Sequence, residues 1–143
     1  MAPARRLCLI ATILLAATAF GQREQKLEFA LPFDFVVQNT TFPAKARVTI
    51  FQPARVENMR ISTQDGKHSE SVASTPLQLG TGVNVVFREK QSWLVFHRFG
   101  EQYFLAEVWI KNLGSSIPKS KLENQLLAGG GTPEQVRVNV KTR

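Results

Sequence analysis

"LVFHRFGEQYFLAEVW", Leu94–Trp109, decides the fold of this chain. Two β-favouring runs flank Gly100-Glu101, and a glycine at the first central position suits a type II′ hairpin turn. Strands over roughly Trp93–Phe99 and Gln102–Ile110 then place Phe99 opposite Gln102, Arg98 opposite Tyr103, His97 opposite Phe104 and Trp93 opposite Val108. Side chains alternate across a strand. One face therefore carries Trp93, Val95, His97, Phe99, Phe104, Ala106, Val108 and Ile110. The other carries Leu94, Phe96, Arg98, Tyr103, Leu105, Glu107 and Trp109. Both faces are largely apolar, so each needs a cover: another sheet, a late helix or a second subunit. The hairpin is predicted to be central.

Its polar residues form the candidate cluster, His97, Arg98, Tyr103, Glu107 and Trp109, which is either a functional site or core furniture. Arg98 can stack on Tyr103, with Glu107 on the same face to neutralise it. A histidine among aromatics reads first as a hydrogen-bonded core residue and only second as a catalyst.

Outward from the hairpin, "KLEFALPFDFVV" (Lys26–Val37) alternates, with Leu27, Phe29, Leu31, Phe33, Phe35 and Val37 on one parity. This predicts a half-buried strand in which Pro32 marks an edge or a bulge. "NTTFPA" reads as turn chemistry, "KARVTIF" as a strand facing inward through Ala46, Val48 and Ile50, and Met59 and Ile61 as a short strand before an Asp65-Gly66 turn. His68 to Thr75 is polar, a solvent-facing strand or a loop. Val83, Val85 and Phe87 mark another strand. After "NLGSS" the period lengthens, and Ile117, Leu122 and Leu126 predict a helix over Pro118–Leu127, ended by Gly129 to Gly131. Val136, Val138 and Val140 alternate with Arg137, Asn139 and Lys141 in a closing strand. The fold class expected is mainly β: a single antiparallel β-sandwich or partly closed barrel of seven or eight strands, with one short helix before the last strand.

The chain opens "MAPARRLCLIATILLAATAFGQ", with Arg5 and Arg6 before an apolar run and small residues after it. That is the pattern of a secretory signal peptide over residues 1–21, leaving one β-rich domain over 22–143. The apolar run is shorter than the roughly 20 residues of a spanning helix. The expectation is a protein exported to the bacterial periplasm or extracellular space, with no transmembrane span after cleavage. Cys8, the one cysteine among 143 residues, leaves with the signal, so the mature chain has no disulfide or thiol chemistry. The 18 Lys and Arg lose Arg5 and Arg6, and the remaining 16 against 11 acidic residues give a net charge of +5. In an exported protein that favours anionic surfaces, lipid headgroups or polysaccharides over nucleic acid, although the basic residues are scattered.

Recognisable catalytic and cofactor patterns are missing. His68 and His97 lack metal-ligand spacing, there is no Gly-x-Ser-x-Gly elbow, and "GTG" at Gly80 to Gly82 precedes a strand, not a helix that would cradle phosphate. No cofactor or metal is expected. Asp34 and Glu107 read as surface or ion-paired carboxylates, not an acid/base pair. Asn39 heads an Asn-Thr-Thr glycosylation sequon, which matters only on a eukaryotic secretory route.

"LPFDFVVQNTTFPA", "LVFHRFGEQYFLAEVW" and "IPKSKLENQLL", in that order, resemble a family of small uncharacterised bacterial exported proteins. Its pattern has a Pro-Phe-Asp-Phe strand, matched by Pro32 to Phe35, and a Phe-His-Arg-Tyr-Gly-Asp-x-Tyr-Phe-Leu hairpin, matched by Phe96, His97, Arg98, Gly100, Tyr103, Phe104 and Leu105. A Pro-x-Ser-x-x-Glu helix start is matched by Pro118, Ser120 and Glu123. Phe99, Glu101 and Lys45 depart from it, Lys45 standing where the family's turn has glycine, which weakens any claim that this turn needs a positive φ. The resemblance implies an exported β-rich domain and supplies no activity.

Three functions compete. The first is a non-enzymatic binding or envelope-associated module holding an apolar or anionic ligand, for which a cavity lined by Phe33, Phe35, Phe96 and Phe104 is the mark. The second is an assembly protein, including a homo-oligomer, acting through an apolar sheet face or edge strand. The third and least favoured is an enzyme with a His97, Arg98, Tyr103 and Glu107 site.

Overall fold

A computed structural model of the chain describes residues 25–53, 58–77, 91–111 and 113–141. The signal-peptide pattern, Gly80 to Gly82 and the strand expected around Val83 to Phe87 lie outside them. The described chain is mainly β, in two packed sheets that do not close into a barrel.

The first strands are β1 (Gln25–Phe29), β2 (Phe35–Val37) and β3 (Thr40–Phe42), followed by β4 (Val48–Gln52), β5 (Asn58–Thr63), β6 (Ser69–Ala73) and β7 (Thr75–Leu77). The long hairpin is β8 (Gln91–Phe99) and β9 (Gln102–Ile110); β10 (Leu113–Ser116), helix α1 (Lys121–Ala128) and β11 (Glu134–Lys141) complete the order. One sheet has the order β1-β4-β5-β6. The other runs β11-β8-β9-β10-β7, with β2 paired to β9 and β3 to β2. The β2–β9 pairing is parallel and every other pairing antiparallel. Since β8 lines one edge of β9, β2 and β10 share the other, β2 meeting Tyr103 and Phe104 and β10 the stretch from Glu107 to Ile110.

Eleven described strands exceed the expected seven or eight because several are only three or four residues long. The alternating stretch before Gln38 is not one strand. Pro32 withdraws a ladder donor, and the chain crosses between the sheets from β1 to β2 over residues 30–34. Parity survives the crossing, for Leu27, Phe29, Leu31, Phe35 and Val37 are all buried. "NTTFPA" hides β3, since the turn is only Gln38-Asn39. The Asn39 sequon is exposed there. The polar Ser-rich stretch resolves into β6 and β7, and "NLGSS" contains β10.

Asp34 is a structural carboxylate: its Oδ1 accepts from Ala44 N at 2.6 Å, closing the loop that ends at Lys45. The turn does take a positive φ there. Lys45 has φ 65° although it is not glycine, and its N–H donates to Leu31 O at 2.7 Å. The backbone hydrogen bond holds the left-handed conformation against its steric cost, about 1–2 kcal/mol for an L-residue. Gly100 has φ 62° while Glu101 does not have positive φ, as a type II′ turn requires.

Aromatic rings fill the space between the sheets. Phe35 stacks on Phe42 (5.1 Å) and meets Phe96 edge-on (5.6 Å), and Phe33 stacks on Tyr103 at 3.9 Å. Burying each such side chain contributes about 2–3 kcal/mol. Phe104 lies on the opposite face of the hairpin, edge-on to Phe99, so the four phenylalanines line no common cavity. Every buried side-chain nitrogen and oxygen among the described residues has a partner.

The helix starts three residues later than expected, because Ser120 caps it: its Oγ accepts from Glu123 N at 3.1 Å. It ends in a Schellman motif, Gly130 N–H to Leu127 O and Gly131 N–H to Leu126 O, with Gly130 at φ 87°. A Cβ on Gly131 would stand 3.3 Å from the Phe99 ring, so this turn packs on the outer face of the hairpin. Among the described residues no helix is long and apolar enough to cross a membrane.

Candidate functional site

The hairpin register holds from the turn to Phe96–Leu105 and then shifts, Val95 pairing with Glu107, Leu94 with Val108 and Trp93 with Trp109. Ala106 is the extra residue, a β-bulge that reverses the facing of everything beyond it on β9. Strict alternation would have put Glu107 on the inner face beside Phe96 and Leu105, where an unpaired carboxylate is costly. The bulge turns Glu107 and Trp109 outward and Val108 and Ile110 into the core, where both are buried.

The sequence cluster is therefore two groups on opposite faces. Arg98 and Tyr103 belong to the inner side, with the guanidinium 5.6 Å from the ring centroid as expected. Glu107 does not neutralise Arg98; Glu134 does, at 3.7 Å, and Arg98 Nε donates to Gly100 O. His97, Glu107 and Trp109 lie on the outer face. A site made of His97, Arg98, Tyr103 and Glu107 together does not exist in this fold.

The outer face holds two clefts. One, of about 260 Å³, is lined by His97, Glu107, Ser116, Lys119 and Glu123 with apolar walls that include Ile117. His97 Nδ1 is 2.6 Å from Glu123 Oε1, and that carboxylate is only 2% exposed. At the third helical position a glutamate commonly bonds back to its own cap; here it reaches the sheet and ties α1 to β8. The ring edge that carries Nε2 points away from this contact, on a side chain 27% exposed. Nε2 has no partner among the described residues.

The second cleft, of about 340 Å³, is lined by Trp93, Val95, Glu107, Trp109, Gln135 and Arg137. Here a ladder runs across three strands. Trp93 and Trp109 stack at 5.1 Å and 11°, and the Arg137 guanidinium lies 4.3 Å from the Trp93 ring centroid. Trp109 lies against Gly114, where a Cβ would come within 2.5 Å of the indole, so only glycine fits opposite it. Its Nε1–H donates to Glu107 Oε2 at 3.0 Å. Glu107 lines both clefts and joins them.

Sequence reasoning named His97, Glu107 and Trp109 but missed Glu123, Lys119, Trp93 and Arg137 as parts of one surface. The signal available was Glu107 itself, a carboxylate standing between Leu105 and Trp109 on one parity of β9. Among the described residues no group of three or more metal-ligating side chains converges. The chain matches no protein-family model, no curated protein and no solved structure.

Proposed function

We propose that this protein is a non-enzymatic binding module of the bacterial envelope, exported behind its N-terminal signal pattern, and that its ligand lies on the outer face of the seven-stranded sheet. The observation that carries the reading is the pair of clefts meeting at Glu107, which presents His97 Nε2 without a hydrogen-bond partner and the Arg137 guanidinium without an ion-pair partner among the described residues. Together the clefts fall within the size of ordinary ligand sites. The ring-filled interior leaves the outer face as the place for a ligand.

Native mass spectrometry of the chain from Gln22, purified after secretion without denaturation, tests it. The expected result is added mass that organic extraction removes and that Glu107→Ala diminishes. A bare monomer that stays bare after incubation with envelope extract would overturn it.

A second reading, assembly, has its own observation. Among the described residues β11 is an eight-residue edge strand whose Val136, Val138 and Val140 are only partly buried, and such edges accept a further strand. A bare dimer in the same spectrum, lost on Val138→Lys, would support it instead.

A further inference from the structure

Resting on the binding reading above, we infer that the ligand is an acidic saccharide, an oligomer that carries uronate carboxylates with hydroxyl groups between them. The indole faces are already occupied: Trp93 lies between Trp109 and Arg137, and Trp109 between Trp93 and Gly114. A flat aromatic ligand therefore finds no free ring to stack on. What the face offers is polar and ordered in space.

At its centre are polar groups. Glu107, with Oε2 engaged by Trp109, keeps Oε1 without a partner among the described residues, and His97 Nε2, the ring nitrogen that Glu123 does not engage, borders the same cleft. Ligand hydroxyls donate to the carboxylate and, being both donors and acceptors, match the imidazole nitrogen in either of its roles. At the two ends are cations, Lys119 in one cleft and Arg137 in the other. Arg137 makes no ion pair among the described residues. It lies 4.3 Å from the Trp93 ring centroid, and a guanidinium fork matches a planar carboxylate by two parallel hydrogen bonds.

Glu107 lines both clefts, between Lys119 in one and Arg137 in the other, so a uniformly anionic chain such as a polyphosphate would bring charge against a carboxylate. The arrangement fits a chain in which carboxylates alternate with hydroxyl-bearing carbons. The register Arg137–Val95–Glu107–Ser116 crosses four strands, a span of about 14 Å at ordinary strand spacing. That length suits more than one sugar ring.

The test is titration of the mature chain with a hexamer of galacturonate, read by tryptophan fluorescence and calorimetry, beside two controls: the same hexamer with its carboxylates reduced to alcohols, and a short poly-aspartate. Saturable binding of the uronate, about tenfold weaker with Arg137→Met and with His97→Phe, is expected, a loss near 1.4 kcal/mol in each case. Arg137 is exposed, so Arg137→Met retains the fold and gives an arm independent of any packing change at His97. Equal binding of poly-aspartate, equal binding of the reduced hexamer, or indifference to both substitutions would overturn the inference. No uronate binding by a chain that still carries extractable mass sensitive to Glu107→Ala would overturn the saccharide and leave the binding module standing. No uronate binding by a chain that also fails the native-mass test would remove both.

Discussion

The two faces of the β8–β9 hairpin are built from similar residues and end in different states. On the inner face, Leu94 and Phe96 meet Leu105, Val108 and the rings of Phe33 and Phe35, and the space is filled. On the outer face, one extra residue, Ala106, brings Glu107 and Trp109 beside Trp93, His97 and Arg137, and two clefts remain between them. Aromatic content alone does not separate a core from a site. The register does, because a shift of one position exchanges the faces of every residue beyond it.

The strongest way to break the contrast is to remove a ring from the filled side. Phe96→Ala deletes a fully buried ring in contact with Phe33, Phe35 and Tyr103, and a loss of about 3–5 kcal/mol is expected in urea unfolding. Next is Gly114→Ala on the outer side. Its methyl would overlap the Trp109 indole, so a cost of about 1–3 kcal/mol is expected, with a changed near-ultraviolet tryptophan signal. An unchanged spectrum would show that Trp109 does not lie on β10.

Lys45→Gly should act in the opposite direction. Relief of the left-handed strain, about 1–2 kcal/mol, exceeds the added chain entropy of glycine, about 0.5–1 kcal/mol. A net gain of roughly 0.5–1 kcal/mol should appear in the same unfolding experiment.

The smallest effect belongs to a turn remote from both faces. The Thr63 hydroxyl first, and then the Lys67 N–H, hold the exposed Asp65 carboxyl below its ordinary value of 3.8. A lowered folded value means the contribution is present above pH 3.8 and is lost as the pH falls through the lowered value. Asp65→Asn should remove that contribution at neutral pH and flatten the acid part of the stability curve.

Much of the fold was legible because period and turn chemistry are local. The Asp65-Gly66 and Gly100-Glu101 turns, the inward parity of Val48, Ile50, Met59 and Ile61, and the closing valine strand all follow from neighbours in sequence. The departures have nonlocal causes. Pro32 keeps the parity of its surroundings while sending the chain to another sheet. β3 and β10 are too short to show a period. Lys45 carries a positive φ that only the hydrogen bond to Leu31 reveals. At the site, Glu123 and His97 are 26 positions apart and are joined only by the packing of α1. Glu107 announced a conflict, a carboxylate between Leu105 and Trp109 on one parity of β9, without announcing that a bulge at Ala106 resolves it.

The register beyond that bulge is the claim on which the outer face depends, and cross-strand nuclear Overhauser contacts in the mature chain test it most directly. The structure predicts contacts pairing Trp93 with Trp109 and Val95 with Glu107, and indole-to-indole contacts between the two tryptophans. Contacts pairing Trp93 with Val108 instead would restore strict alternation, return Glu107 to the inner face and dissolve the proposed site.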